Sequence, residues 1–150
     1  MSSFRFRLLS IMRLRVRERD KAAQSLQQAQ LAKQKLLDQI RELEEEIASL
    51  ASVRSAASIG HVDIQRVIDA QRYQLTLLES IRSIQSNIAL VDQELEKRRA
   101  KLVVCEQEVR ALEKLEDKQR IAWDAEQAQR DQSRLDEWSS FQHFKRHAES

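Results

Sequence analysis

With 150 residues, 33% of them charged and 5% aromatic, one Gly and no Pro, the chain has the length of one domain but not the turn-forming residues of a compact one. Folds that reverse often are excluded. Enrichment in Ala, Glu, Lys, Leu, Arg and Gln points to a few long helices, and 41% apolar residues at regular spacing are too many for disorder. A net charge of +2 excludes a global attraction for polyanions, a single Gly excludes a Gly-rich phosphate loop, and a single cysteine, Cys105, excludes an internal disulfide.

The first 21 residues carry Arg5, Arg7, Arg13, Arg15, Arg17, Arg19 and Lys21 against Glu18 and Asp20. Such a run reads as a solvated helix face, with a targeting peptide or a nucleic-acid arm as alternatives. FRFRLLSIM is too short an apolar run for a secretory signal, and no stretch approaches the ~20 apolar residues that span a bilayer. From residue 22 the spacing is that of a coiled-coil seam. Ala22, Leu26, Ala29, Lys33, Leu36, Ile40, Leu43, Ile47 and Leu50 alternate steps of four and three, with Lys33 the one charged member. The first helix is expected over about residues 4–54.

SVRSAASIGHVD, residues 52–63, lapses from the seam and collects small residues, Ser58 and the only Gly. Gly60 can take a positive φ at a helix C-terminus and Asp63 can cap the next helix, so a turn is expected over about 55–62, one continuous helix being the alternative. The second helix, about 63–140, carries the seam Leu77, Ile81, Ile84, Ile88, Val91, Leu95, Arg98, Leu102, Cys105, Val109 and Leu112, interrupted only at Arg98. A frayed tail, 141–150, completes a single coiled-coil domain over 1–150. Reversal near residue 58 would set Leu50 beside Arg66, Leu26 beside Leu90 and Phe4 beside Leu112. The fold class is therefore all-α, an antiparallel two-helix coiled-coil hairpin whose longer C-terminal helix protrudes without a partner beyond about residue 113.

That protruding stretch holds both tryptophans, Trp123 and Trp138. Glu116 with Arg120 and Glu126 with Arg130 are spaced to pair at i, i+4, which supports a lone helix by about 0.3 kcal/mol each. Ile121, Ala125, Ala128 and Leu135 form a new stripe of mostly small residues, offset from the seam. Indoles with arginines nearby are the favoured composition of interface anchors, so this end is a candidate contact surface.

Catalytic and metal chemistry find little support. His61 falls in the expected turn, and His143 and His147, although at i, i+4, lack the further ligands of a closed metal site apart from Glu149. Glu44, Glu45 and Glu46 sit on a solvated helix with no concavity to raise a pKa. Cys105 on the seam acts as a small hydrophobe. No enzymatic activity, metal or cofactor is expected. Tyr73 falls off the stripe of Ala70, Gln74, Leu77 and Ile81, faces outward near the hairpin tip, and is a contact candidate. No nucleic-acid partner is expected, because Phe4 and Phe6 are the only aromatics beside the basic start and the protruding helix has an acidic excess.

Three features together resemble the FliJ family of flagellar type III export, which has a related stalk protein in the injectisome. They are the N-terminal FRFRLLSIMRLRVRERDKAAQSLQQA; the plan of a short helix, a small reversal and a longer helix; and ALEKLEDKQRIAWDAEQAQRDQSRLDEW at 111–138, ending in Asp136, Glu137 and Trp138. The resemblance covers nearly the whole chain. The sequence departs from many relatives in His143 and His147 and in the dense arginine alternation of the first helix. The resemblance implies a central stalk similar to the γ subunit of rotary ATPases, with both termini inserted into a hexameric export ATPase ring and the hairpin side facing the membrane export gate. It further implies a cytoplasmic protein, peripheral at the cytoplasmic face of the inner membrane through its partners, with export chaperones as further partners. On this reading Arg13, Arg17, Arg120, Trp123, Arg130, Leu135, Asp136, Glu137 and Trp138 meet the ring, and Gln39, Leu43, Tyr73 and Leu77 meet the gate. Leu43 and Leu77 are seam positions and read as core as well. A coiled-coil export chaperone or adaptor and an injectisome stalk are the alternatives.

Overall fold

The computed structural model describes residues 2–57, 60 and 63–149. It is all-α, a helical hairpin of α1 (Leu9–Ala57, 49 residues) and the longer α2 (Ile64–Ala148, 85 residues). Packing divides the chain into two units, Asp20–Val103 and Met1–Arg19 with Val104–Ser150. Helices of this length follow from the absence of Pro and from good helix formers throughout, with apolar stripes that need a partner to be covered.

In the unit of residues 20–103 the two helices run antiparallel. All nine seam positions from Ala22 to Leu50, and those from Leu77 to Arg98, are buried or half-buried. Ala22, Ala29, Leu77, Ile81 and Leu95 are the most enclosed, Leu95 at 3% exposure. The two charged seam members are accommodated rather than expelled. Lys33 Nζ lies 2.7 Å from Asp92 Oδ1. Arg98 donates from Nη1 to the Ser25 carbonyl at 2.6 Å and from Nε to Glu94 at 3.0 Å. A long side chain on a seam can keep its methylenes in the core while its head reaches an acceptor at the rim.

The register differs from the expected one. Ser25 with Arg98, Lys33 with Asp92, Glu46 with Tyr73 and Arg54 with Gln74 are partners whose numbers sum to between 119 and 128, against the 116 implied by reversal at residue 58. Leu26 therefore does not face Leu90, which is exposed, nor Leu50 Arg66. The physical reason is visible in the stripes: Leu90 is not a seam residue, and an antiparallel pair must match seam to seam.

Asp63 caps α2, its Oδ1 accepting from the Gln65 amide at 3.1 Å and its carbonyl accepting from the Val67 amide at 3.3 Å. Gly60 has a φ of +111°, in the region that L side chains rarely adopt, and nothing lies within 4 Å of where a Cβ would stand. Conformation, not crowding, calls for glycine there. Ser58 and His61, assigned to the turn from the sequence, lie outside the described residues.

The unit formed by the two ends of the chain begins differently from expectation. The first α-helical hydrogen bond runs from the Met12 amide to the Leu8 carbonyl, and α1 starts at Leu9 rather than near residue 4. Phe4, Arg5, Phe6, Arg7 and Leu8 alternate apolar with basic; residues 4–6 are non-helical, and Arg7 and Leu8 form a turn closed by the Leu9 amide donating to the Phe6 carbonyl at 3.2 Å. Burial follows that alternation: Phe6 is buried at 7% exposure, Phe4 and Leu8 are half-buried, and Arg5 and Arg7 are exposed. At the other end α2 runs on to Ala148, through residues expected to fray. Lys145, Arg146 and His147 in its last turn oppose the negative end of the helix dipole.

Candidate functional site

Two surfaces hold the candidate contact residues, one in each unit. In the terminal unit Cys105 and Val109 of α2 are buried. Arg15 reaches across to Glu108 at 3.4 Å while bonding Glu18 at 3.0 Å. These two carboxylates, Glu18 by its hydrogen bond first, hold the Arg15 guanidinium above its ordinary range.

Beyond them the non-helical N-terminal segment lies on α2. The rings of Phe4 and Trp123 are 6.1 Å apart, tilted by 57°. The guanidinium of Arg120 stands 5.3 Å from the centre of the Phe4 ring and also pairs with Glu116 at 3.2 Å. Edge-tilted aromatic contact and a cation over a ring face are both favourable arrangements. Phe4 thus sits at Trp123 and not at Leu112. The register already sets residue 4 beside about residue 119, since Arg15 pairs with Glu108, and the non-helical start, which rises more per residue than the ~1.5 Å of a helix, carries Phe4 the rest of the way.

This corrects the expected overhang. α2 has an intrachain partner past residue 113, as far as Trp123, and the two indoles have different fates. Trp123 is half-buried against Phe4. Residues 128–141 are exposed without exception, and there Leu135 and Trp138 are followed by Phe141 and Phe144, at 66%, 62%, 63% and 76% exposure. Arg130 pairs with Glu126 at 2.7 Å, and Asp136 and Glu137 are exposed. Phe141 and Phe144 belong to the same run of large apolar groups and were missed. Their signal was local: four such residues at three-residue intervals from Leu135 place a large apolar group on every turn.

Arg13 and Arg17 are exposed on the first turns of α1, beside exposed Leu9, Ile11 and Leu14. The His143 and His147 rings are in T-shaped contact with centroids 4.6 Å apart. Among the described residues no group of three or more His, Cys, Asp or Glu is placed to hold a metal ion.

In the unit of residues 20–103, Tyr73 is exposed and its hydroxyl donates to Glu46 Oε1 at 2.6 Å. Donation to a carboxylate, more than burial, raises the phenol above its ordinary range. Gln39 is exposed, Leu43 half-buried on the seam, and Leu77 buried at 5% exposure. Leu77 is a core residue. Of the four candidates for the gate, Gln39 and Tyr73 present accessible side chains.

Among the described residues no helix is long and apolar enough to cross a membrane. A family model described as Flagellar FliJ protein matches residues 4–148. No curated protein and no solved structure gives a match.

Proposed function

Since the chain belongs to the FliJ family of flagellar export proteins, we propose that it is the central stalk that couples a hexameric export ATPase to the membrane export gate. The observation that carries this reading is the run of exposed large apolar side chains, Leu135, Trp138, Phe141 and Phe144, on a helical end where residues 128–141 find no cover in their own unit. Water-exposed aromatics on consecutive turns are costly unless something buries them. A ring that surrounds a helix suits side chains spread over about half its circumference better than a single partner helix does.

The stalk has no catalytic role of its own. Arg130, Leu135, Asp136, Glu137 and Trp138 grip the ring, with Arg13 and Arg17 of α1. Trp123 and Arg120 act through their stack with Phe4, which holds the N-terminal segment against α2. Gln39 and Tyr73 are the accessible contacts for the gate, and export chaperones are further partners. Localisation at the cytoplasmic face of the inner membrane follows from those partners.

The test uses the purified family ATPase. Trp138→Ala and Leu135→Ala leave the circular dichroism and melting of the chain unchanged and lower its stimulation of ATP hydrolysis several-fold, with one chain bound per hexamer in the parent. Undiminished stimulation by both variants overturns the grip. Several chains per hexamer, each holding an export substrate, would establish a carrier instead.

A further inference from the structure

The opening of the chain has a property that the ring contact does not account for. Through residue 17 it carries Arg5, Arg7, Arg13, Arg15 and Arg17 and no Asp or Glu. Arg15 alone among them is turned to carboxylates, Glu18 and Glu108. Arg5, Arg7, Arg13 and Arg17 are exposed, with no ion pair among the described residues. Interleaved with them, Leu9, Ile11 and Leu14 are exposed large apolar side chains.

We propose that residues 5–17 bind the surface of a bilayer containing anionic lipid, the arginines meeting headgroup phosphates and Ile11 and Leu14 entering the acyl boundary. Helical spacing of 100° per residue sets Ile11 and Leu14 about 60° apart, with Arg17 about 60° and Arg13 about 100° from Leu14 on its other side. A helix at a bilayer surface inserts its apolar side and meets the headgroups with the basic residues beside it, which is the order Ile11, Leu14, Arg17, Arg13 around α1. The alternation of FRFRL turns Arg5 and Arg7 outward as well, extending the cationic set beyond the helix. Clustered arginines beside an amphipathic helix are the composition that anionic leaflets attract.

Nucleic acid fits less well. Single strands are held by stacking on free aromatic rings, and here Phe6 is buried while Phe4 is engaged by Trp123 and Arg120. The exposed groups are aliphatic instead, which acyl chains accept and bases do not. Since Arg13 and Arg17 also belong to the ring contact proposed above, the two occupancies exclude one another, but the lipid contact does not rest on the ring and is tested without it.

The full-length chain is floated with vesicles of phosphatidylcholine plus phosphatidylglycerol, and with phosphatidylcholine alone. The mixed vesicles should bind it at least about tenfold more tightly. Arg5→Ser with Arg7→Ser should lose most of that preference, and Ile11→Ser with Leu14→Ser should weaken binding by about tenfold while every charge remains. Helicity of both double variants is checked by circular dichroism, and both should still stimulate the ATPase, since none of the four residues belongs to the proposed grip. Absence of flotation with anionic vesicles overturns the proposal. So does full binding by the Ile11, Leu14 variant, or displacement of the parent from vesicles by duplex DNA at equal phosphate, either of which would make the face a general polyanion binder.

Discussion

The seam of residues 20–103 and the far end of α2 use similar residues to opposite ends. On the seam, Leu77, Ile81 and Leu95 belong to a stripe that recurs at steps of four and three, and they are buried by the opposite helix. At the far end, Leu135, Trp138, Phe141 and Phe144 recur at steps of three and are left in water. The difference is one of spacing as much as of partner. Alternate steps of three and four keep a stripe on one side of a helix, whereas repeated steps of three rotate it by about 60° each time, and the four residues spread over about half the circumference. A stripe on one side suits one neighbouring helix, and a set so spread suits an enclosure.

The contrast is most open to refutation by truncation. Leu95→Ala should cost about 2–4 kcal/mol in urea or thermal denaturation, because it leaves a cavity between paired helices. Leu135→Ala should stay within about 0.5 kcal/mol, as exposed positions do. Equal losses at the two sites would erase the distinction.

Phe4→Ala sharpens it at the boundary, where Trp123 is covered and Trp138 is not. A loss of about 1 kcal/mol is expected from the aromatic contact. The tryptophan emission should also shift to the red, and in a Trp138→Phe background the shift should persist because Trp123 causes it. An unshifted spectrum would mean that the N-terminal segment does not cover that indole.

Lys33→Met tests the polar interruption of the seam. The pair with Asp92 is only partly shielded, so melting should move by less than about 1 kcal/mol in either direction. Any sensitivity of the parent to salt that comes from this pair should vanish in the variant. Smallest of all is Tyr73→Phe, which removes one exposed bond to Glu46. Because the folded phenol titrates above its unfolded value, the bond's contribution is complete below pH ~10 and is lost as pH rises through the raised folded value. Parent and variant should therefore differ slightly at neutral pH and converge in strong alkali. A difference that grows with alkalinity would contradict the assignment.

Much of this architecture is legible in the residues alone. The two stripes named the seam down to its charged members, Asp63 was recognisable as a cap, and Gly60 as a backbone position with positive φ, since each is a statement about neighbours within a few residues. The N-terminal segment was legible too, through the alternation of FRFRL, but the longer helical pattern that follows it drew the helix start forward to residue 4. Register was not legible. Misplacing the reversal by about four residues shifts every partner by twice that, and no local pattern corrects it.

The contact residues divide along the same line. That Leu135, Trp138, Asp136 and Glu137 stand exposed followed from a helix with nothing left to pair with. That Trp123 is sheltered, and Leu77 enclosed, depended on which distant side chain arrives. Two long helices, the faces they bury and the chemistry they leave bare can be read from the residues alone, because helical period and capping are written in residues three and four apart. That Phe4 meets Trp123 and Lys33 meets Asp92 is fixed by packing between distant segments, because pairing across the hairpin depends on where the chain turns and on how much of its start is non-helical.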